Sequence, residues 1–130
     1  MRYLCLIYWD EAELAAMPAS PLDALNARHL DFNDELRESG QMVEAEALEP
    51  SAGAICLRLR NGRLAVTDGP FAETKEQVAG FYLIEARDLN EALQIAARIP
   101  SASKATIEVR AVRQLIVPGR VSSEAEETRP

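Results

Sequence analysis

The chain has 130 residues, of which 48% are apolar, and this suffices for one hydrophobic core of ordinary size but not for a second domain. Its 14 basic and 21 acidic side chains give a formal net charge of −7. Such a surface repels the phosphates of nucleic acids and anionic lipid headgroups, so we expect no nucleic-acid and no membrane partner.

The first predicted element is a β-strand over residues 2 to 9. Apolar side chains occupy both parities of this run, which is typical of a strand covered on both faces. The run is too short for a signal-peptide core or a membrane span, so we expect a cytoplasmic protein. In that compartment Cys5 and Cys56 are expected to stay reduced and to pack as small hydrophobic side chains.

A helix follows, for which Ser20 is the predicted cap and Pro21 the first helical residue. It should run to about Ser39 and end at Gly40. Spacings of three and four residues predict one stripe that faces the sheet, formed by Leu22, Leu25, His29, Phe32 and Leu36.

His29 is the single histidine of the chain, and two interpretations of it stay open. It is a core side chain bonded to a backbone carbonyl, or it is a general base that a nearby carboxylate orients.

The middle of the chain is predicted to be mostly β-structure. Residues 42 to 48 form a strand, and residues 55 to 60 and 63 to 67 flank Asn61-Gly62, a strong signal for an antiparallel hairpin. A polar loop over residues 69 to 79 should precede a strand over residues 81 to 84.

The last predicted elements are a helix and a strand. Asp88 caps the helix with Glu91 in the capping-box position, and an apolar stripe consists of Leu89, Leu93, Ala96 and Ala97. Residues 106 to 117 alternate as a half-buried strand and end the domain, which therefore spans residues 1–117. Residues 118–130 have the composition of a disordered tail.

This order of elements predicts an α+β fold, a ferredoxin-like antiparallel sheet with two helices on one face. The other face would be bare although its strands carry apolar residues. We therefore expect a homodimer in which two sheets pack face to face.

Asp68 ends a predicted strand on the parity of Leu64 and Val66, so its carboxylate should leave the sheet on a core face near His29. The alternative is that Asp68 only stabilises a turn before Gly69. The loop that follows either binds a ligand or is a solvated charged loop anchored by its aromatic residue, and its relevant side chains are Phe71, Glu73, Lys75 and Glu76.

No metal or cofactor is expected. One histidine and two distant cysteines match no zinc spacing, and no Gly-rich phosphate loop is present.

The tract Val-Thr-Asp-Gly-Pro-Phe-Ala-Glu-Thr-Lys-Glu over residues 66 to 76, followed by Gly80-Phe81-Tyr82, resembles the signature of the DGPF subfamily of YCII-related proteins. The resemblance implies a ferredoxin-like fold that dimerises into an α+β barrel, with a pocket around a histidine and an aspartate that correspond to His29 and Asp68. Some members of the broader group resemble lyases, among them a dehydrochlorinase that acts on a chlorinated hydroxyquinol. DGPF members are often encoded beside sigma factors of the extracytoplasmic-function type.

Two functional hypotheses follow. In the first, the chain is a cofactor-independent lyase or isomerase: Asp68 orients His29, which takes a proton from a small polar or aromatic substrate, and Lys75 stabilises negative charge. In the second, it is a non-enzymatic dimeric binding or regulatory module associated with an extracytoplasmic-function sigma factor. An enzyme should have a cavity lined by His29 and Asp68, whereas a partner module should expose apolar surface around Phe71.

Overall fold

The computed structural model of the protein describes residues 1–120. The strands are β1 (Arg2–Asp10), β2 (Met42–Ala47), β3 (Ile55–Arg60), β4 (Arg63–Asp68), β5 (Glu76–Glu85) and β6 (Thr106–Ala111). The helices are α1 (Glu11–Ala15), α2 (Ala19–Glu38) and α3 (Leu89–Ala97), with short 3₁₀ turns at Ser51–Gly53 and Pro100–Ser103. The tail predicted to be disordered lies, from residue 121 onward, outside the described residues.

Four strands form an antiparallel sheet in the order β2-β5-β1-β6. Helix α2 connects β1 to β2, and α3 connects β5 to β6. Two strand-helix-strand units on one antiparallel sheet give the predicted α+β class and are consistent with a ferredoxin-like fold.

The core lies between the sheet and the helices. Along β1, buried and half-buried side chains alternate without exception. The buried parity meets the apolar faces of α2 and α3 in one cluster, to which β1 contributes Tyr3, Cys5, Ile7 and Trp9. The opposite face carries half-buried apolar side chains in cross-strand pairs, with Leu4 opposite Leu83 and Leu6 opposite Phe81.

Helix α2 begins earlier than predicted. Its N-terminal residue is Ala19 and its cap position is Pro18, whose side chain offers no hydrogen bond, so the assignment of Ser20 as cap is wrong. Pro21 is accommodated because the first turn of a helix leaves its amides without partners inside the helix.

The predicted end of α2 is confirmed. Gly40 adopts a left-handed φ of 75°, and its amide donates to the carbonyl of Arg37 at 3.1 Å. The amide of Gln41 donates to the carbonyl of Leu36 at 2.9 Å, which completes a Schellman motif.

Helix α1 was not predicted from the sequence. The Asp10 carboxylate accepts hydrogen bonds from the amides of Ala12 and Glu13, at 3.0 and 3.3 Å, and so starts a helix of only five residues. One turn is too short to show a helical periodicity.

The hairpin of β3 and β4 forms a sheet of its own, and its predicted turn is confirmed by positive φ angles at Asn61 and Gly62. Leu64, Val66 and Asp68 share a face, as their parity predicted. That face is not part of the core, because each of its apolar residues is at least 60% exposed: Ile55, Leu57, Leu59, Leu64 and Val66.

Pairing with β1 corrects two predicted strand limits. Strand β5 begins at Glu76, opposite Asp10, so the predicted loop over residues 69 to 79 is shorter. Strand β6 ends at Ala111, opposite Tyr3, whereas residues up to 117 were predicted to belong to it. The amide of Val112 donates to the carbonyl of Arg2, which is the first residue of β1. Residues beyond Val112 therefore have no β1 residue with which to pair.

The cap of α3 is confirmed, since the Asp88 carboxylate accepts from the amide of Glu91 at 2.9 Å. The predicted stripe is rotated, because Leu89 and Leu93 are exposed. The residues of α3 that enter the core are Ala92, Ile95 and Ala96. Within residues 1–120 no helix has the length and apolar character needed to cross a membrane.

Gly80 provides a test of the packing between β5 and β2. A Cβ atom at this position would lie 2.7 Å from the backbone oxygen of Glu46 and 3.3 Å from the Cα atom of Ala47. Gly80→Ala should therefore displace β2 and lower the free energy of unfolding in urea by about 1 to 3 kcal/mol.

Gly53→Ala is the matched control, since a Cβ atom there has no neighbour within 4 Å and Gly53 has no positive φ. Its effect should stay within about 1 kcal/mol and should favour the folded state. Equal losses in both variants would refute this description of the β2–β5 contact.

Candidate functional site

His29 lies half-buried on the inner face of α2, and both of its ring nitrogens meet hydroxyl groups. Nδ1 lies 2.8 Å from the hydroxyl oxygen of Tyr82, and Nε2 lies 2.6 Å from Oγ of Ser101. The imidazole therefore connects three elements that are far apart in the chain: α2, β5 and the 3₁₀ turn after α3.

Local structure fixes both hydroxyl partners. Tyr82 is on the inward parity of β5 and its ring packs against Phe32, with ring centroids 5.7 Å apart. Ser101 is only 3% exposed, and its carbonyl accepts from the amides of Lys104 and Ala105, which holds the 3₁₀ turn in place.

Burial sets the protonation states of this cluster. Loss of solvation lowers the pKa of His29 below its ordinary value, and the positive charge of Arg28 lowers it further. Burial also raises the pKa of Tyr82 to about 12. At neutral pH the cluster thus contains a neutral imidazole and two protonated hydroxyls.

A neutral imidazole has one N–H donor and one acceptor nitrogen. When Nδ1–H donates to Tyr82, Nε2 accepts the proton of the Ser101 hydroxyl. This is the arrangement in which a histidine acts as base toward a serine hydroxyl.

Asp68, the predicted acid partner, lies at the end of β4 opposite Ile55, with an exposed side chain. Throughout the described chain its carboxylate makes no hydrogen bond or ion pair with His29. Asp68 and His29 therefore do not meet within the described chain. Both ring nitrogens of His29 already bond to hydroxyl groups, and the hairpin face that carries Asp68 is exposed to solvent. A catalytic role for either residue stays a prediction.

The four predicted loop residues have different surroundings. Phe71 is 82% exposed and lies under the guanidinium of Arg58, 5.8 Å from its ring centroid. Nζ of Lys75 pairs with Asp10 at 3.6 Å, and Glu76 accepts a hydrogen bond from the hydroxyl of Thr106 at 3.0 Å.

Glu73 is the member of that set that lines a cavity. This acidic cleft of about 530 Å³ lies between α1, residues 48 to 52 and the loop after β4. Three carboxylates line it, those of Glu11, Glu49 and Glu73. Glu11 accepts from both the amide and the hydroxyl of Ser51, and these hydrogen bonds lower its pKa.

A smaller pocket of about 260 Å³ adjoins the histidine cluster. Ser101 forms part of its wall, Trp9 and Leu25 are buried apolar residues beside it, and Arg28 and Lys104 bring two positive charges. Neither cavity is lined by both His29 and Asp68.

Sequence reasoning missed the partners of His29. Tyr82 could have been found from the sequence, because it lies in the tract Gly80-Phe81-Tyr82 and its side chain points to the sheet face opposite to that of Phe81. Ser101 gives no sequence signal, because it follows Pro100 in a turn 72 residues from His29. In the described part of the chain no three His, Cys, Asp or Glu side chains are grouped to hold a metal ion.

The fold and the site define a small α+β protein with a single histidine held between helix, sheet and turn. The family model of the YCII-related domain matches residues 1–116, and the chain belongs to this family. An uncharacterised protein of Rhizobium meliloti (strain 1021) is 36% identical over 125 residues, which cover 95% of this chain and 100% of the relative.

The titration of His29 tests these electrostatics, and NMR resolves it because the chain has one histidine. His29 should titrate below the reference value of about 6.5. Arg28→Gln should raise its pKa by removing a positive charge, and Asp68→Asn should leave it unchanged. A decrease in Asp68→Asn would instead support a direct dyad.

The same shift makes stability depend on pH. Because the pKa of His29 is lower in the folded state, the unfolded state binds more protons between that pKa and about 6.5. This contribution to the free energy of unfolding is therefore complete above about pH 6.5 and declines as the pH falls through the window.

Proposed function

We propose that this YCII-related protein is a small cofactor-independent enzyme, a lyase or isomerase in which His29 acts as general base through Ser101. One observation carries the proposal: Nε2 of His29 lies 2.6 Å from the hydroxyl oxygen of Ser101, a residue that lines a pocket. General bases of this kind accelerate proton transfer by about 10² to 10⁴-fold.

The proton moves in a relay. The oxygen of Ser101 takes a proton from an acidic C–H bond of the substrate while its own proton passes to Nε2 of His29. The imidazolium that forms donates one N–H to Ser101 and the other to Tyr82, so both hydroxyl oxygens stabilise it. The carbanion then expels a leaving group from the neighbouring carbon, or takes the proton back at another carbon.

The resemblance to the DGPF subfamily supports a site at His29. The proposed step does not require Asp68, because the two hydroxyls already orient the imidazole. A role in substrate binding for the loop residues remains a prediction, with Glu73 the one that faces a cavity.

Hydrogen–deuterium exchange tests the proton abstraction before any product is known. Small 2-oxo acids and 1,3-dicarbonyl compounds, incubated with the protein in D₂O, should lose the NMR signal of their acidic C–H bond. Ser101→Ala and His29→Gln should slow this exchange by about 10²-fold or more, and Ser20→Ala, at an exposed serine of α2, should not. Equal exchange in the wild type and Ser101→Ala would refute the relay.

A second candidate function is a dimeric binding or regulatory module, and the exposed hairpin favours it. Its apolar face and the exposed ring of Phe71 leave large apolar side chains in water. Contiguous apolar surface of this kind marks interaction sites. A sigma factor of the extracytoplasmic-function type is the partner that the DGPF resemblance suggests.

A second copy of the chain is a suitable cover for the hairpin face. The hairpin tip carries Arg60 and Arg63, whereas the edge strand β2 of the main sheet exposes Glu44 and Glu46. Basic tips and acidic edges in the same chain are complementary in a symmetric dimer.

Light scattering at micromolar concentration tests this interface. The wild type should have a dimer mass and Leu57→Asp a monomer mass, since burying one Leu in each of two copies shifts the dissociation constant by about 100-fold or more. Ala65→Asp, on the opposite face of the hairpin, is the matched control and should remain dimeric. A monomeric wild type would refute the dimer, and the hairpin face would then be assigned to a different protein partner.

A further inference from the structure

We infer that the pocket beside Ser101 binds a small carboxylate, whose charge pairs with Arg28 and Lys104 and whose apolar body packs against Trp9. The inference rests on the function proposed above, because it names the substrate class of the same site.

The pocket suits a compact ligand. Its volume of about 260 Å³ lies below the range of about 300 to 1,000 Å³ that is usual for drug-sized ligands. Its lining includes six apolar residues: Trp9, Met17, Pro21, Ala24, Leu25 and Pro100. The polar part of the lining consists of two basic residues, Arg28 and Lys104, and two serines, Ser101 and Ser103.

The positive charge of this pocket is unusual in a chain with a net charge of −7. None of the described residues that line it is acidic. The acidic cleft has the opposite character, with three carboxylates and no basic side chain in its lining. An anionic ligand is therefore favoured in the pocket beside Ser101 and disfavoured in the acidic cleft.

Among the described residues, Arg28 and Lys104 have no salt-bridge partner. Across residues 1–120 neither side chain has a carboxylate within salt-bridge distance, although Asp31 lies one helical turn from Arg28. Some other basic side chains of the helices do have such partners, since Arg37 pairs with Asp34 and Arg98 with Glu35. The two cations at the pocket are thus available for a ligand.

A carboxylate fits this arrangement better than a phosphate ion. The planar guanidinium of arginine accepts a carboxylate through two parallel hydrogen bonds, and lysine adds a point charge. Inorganic phosphate would leave the apolar wall of Trp9 and Leu25 without a contact. A carboxylate next to the reacting carbon also places the acidic C–H bond near the hydroxyl of Ser101.

Trp9 provides a local probe, because it is the single tryptophan of the chain and lines this pocket. Benzoate should change the fluorescence of Trp9 saturably, whereas the uncharged isostere benzamide and inorganic phosphate should have little effect. Arg28→Gln and Lys104→Gln should each weaken benzoate binding by about tenfold or more. Arg37→Gln, at an exposed arginine of the same helix, should leave the affinity unchanged.

His29 gives an independent readout. Bound benzoate places a negative charge near the imidazole, so the NMR titration of His29 should move to higher pH when benzoate is present. Equal affinities for benzoate and benzamide, or benzoate binding that is unaffected by both Arg28→Gln and Lys104→Gln, would overturn the inference. Phosphate binding as tight as benzoate would overturn the assignment to carboxylates.

Ser101→Ala distinguishes this inference from the proposed catalysis. The variant should retain charge-dependent benzoate binding and lose deuterium exchange. If the wild type binds benzoate but exchanges no substrate proton, the proton relay is refuted and the carboxylate site is supported. If the wild type exchanges the protons of uncharged dicarbonyl compounds but does not bind benzoate, the relay is supported and the carboxylate site is refuted.

Discussion

The antiparallel pairing of β1 with β5 is the constraint on which the rest of the structure depends. Each strand sends alternate side chains to the helix side, and the register sets Tyr82 opposite Cys5 in the middle of the core. Because Tyr82 is fixed there, its hydroxyl lies within hydrogen-bond distance of Nδ1 of His29 on α2. A shift of one residue in this register would turn Tyr82 to the bare face and remove one partner of the imidazole.

The acidic cleft and the pocket beside Ser101 differ in charge as well as in position. The acidic cleft lies beside α1 and the loop after β4, whereas the basic pocket lies beside the 3₁₀ turn after α3. The tract that identifies the family resemblance therefore borders one cavity, and the histidine cluster borders the other. The resemblance implies one pocket around His29 and Asp68, but within the described chain these two residues lie in different regions.

Features fixed by neighbouring residues could be predicted from the sequence, and features fixed by distant pairing could not. Asn61-Gly62 forces a hairpin turn through its own φ angles, Gly40 ends a helix by the same means, and Asp88 caps the next helix. The limits of β5 and β6 depend instead on where β1 begins and ends. The position of Ser101 beside His29 depends on the packing of the complete core.

The hairpin prediction illustrates the same limit. Alternation correctly placed Asp68 with Leu64 and Val66, yet alternation alone does not reveal what covers a face. In the described chain that face is exposed to solvent, so the parity of the strand identifies the side on which Asp68 lies but not what surrounds it.

The two cysteines differ in a way that matters for redox chemistry. Cys5 is fully buried, and burial raises the pKa of its thiol to about 11, so the thiol stays protonated at neutral pH and the reactive thiolate is disfavoured. Cys56 is half-buried on the hairpin, where its Sγ donates to the carbonyl of Gly69 at 3.4 Å. Oxidation or alkylation of the folded chain is thereby directed to Cys56, at the base of the hairpin, and the core is protected from it.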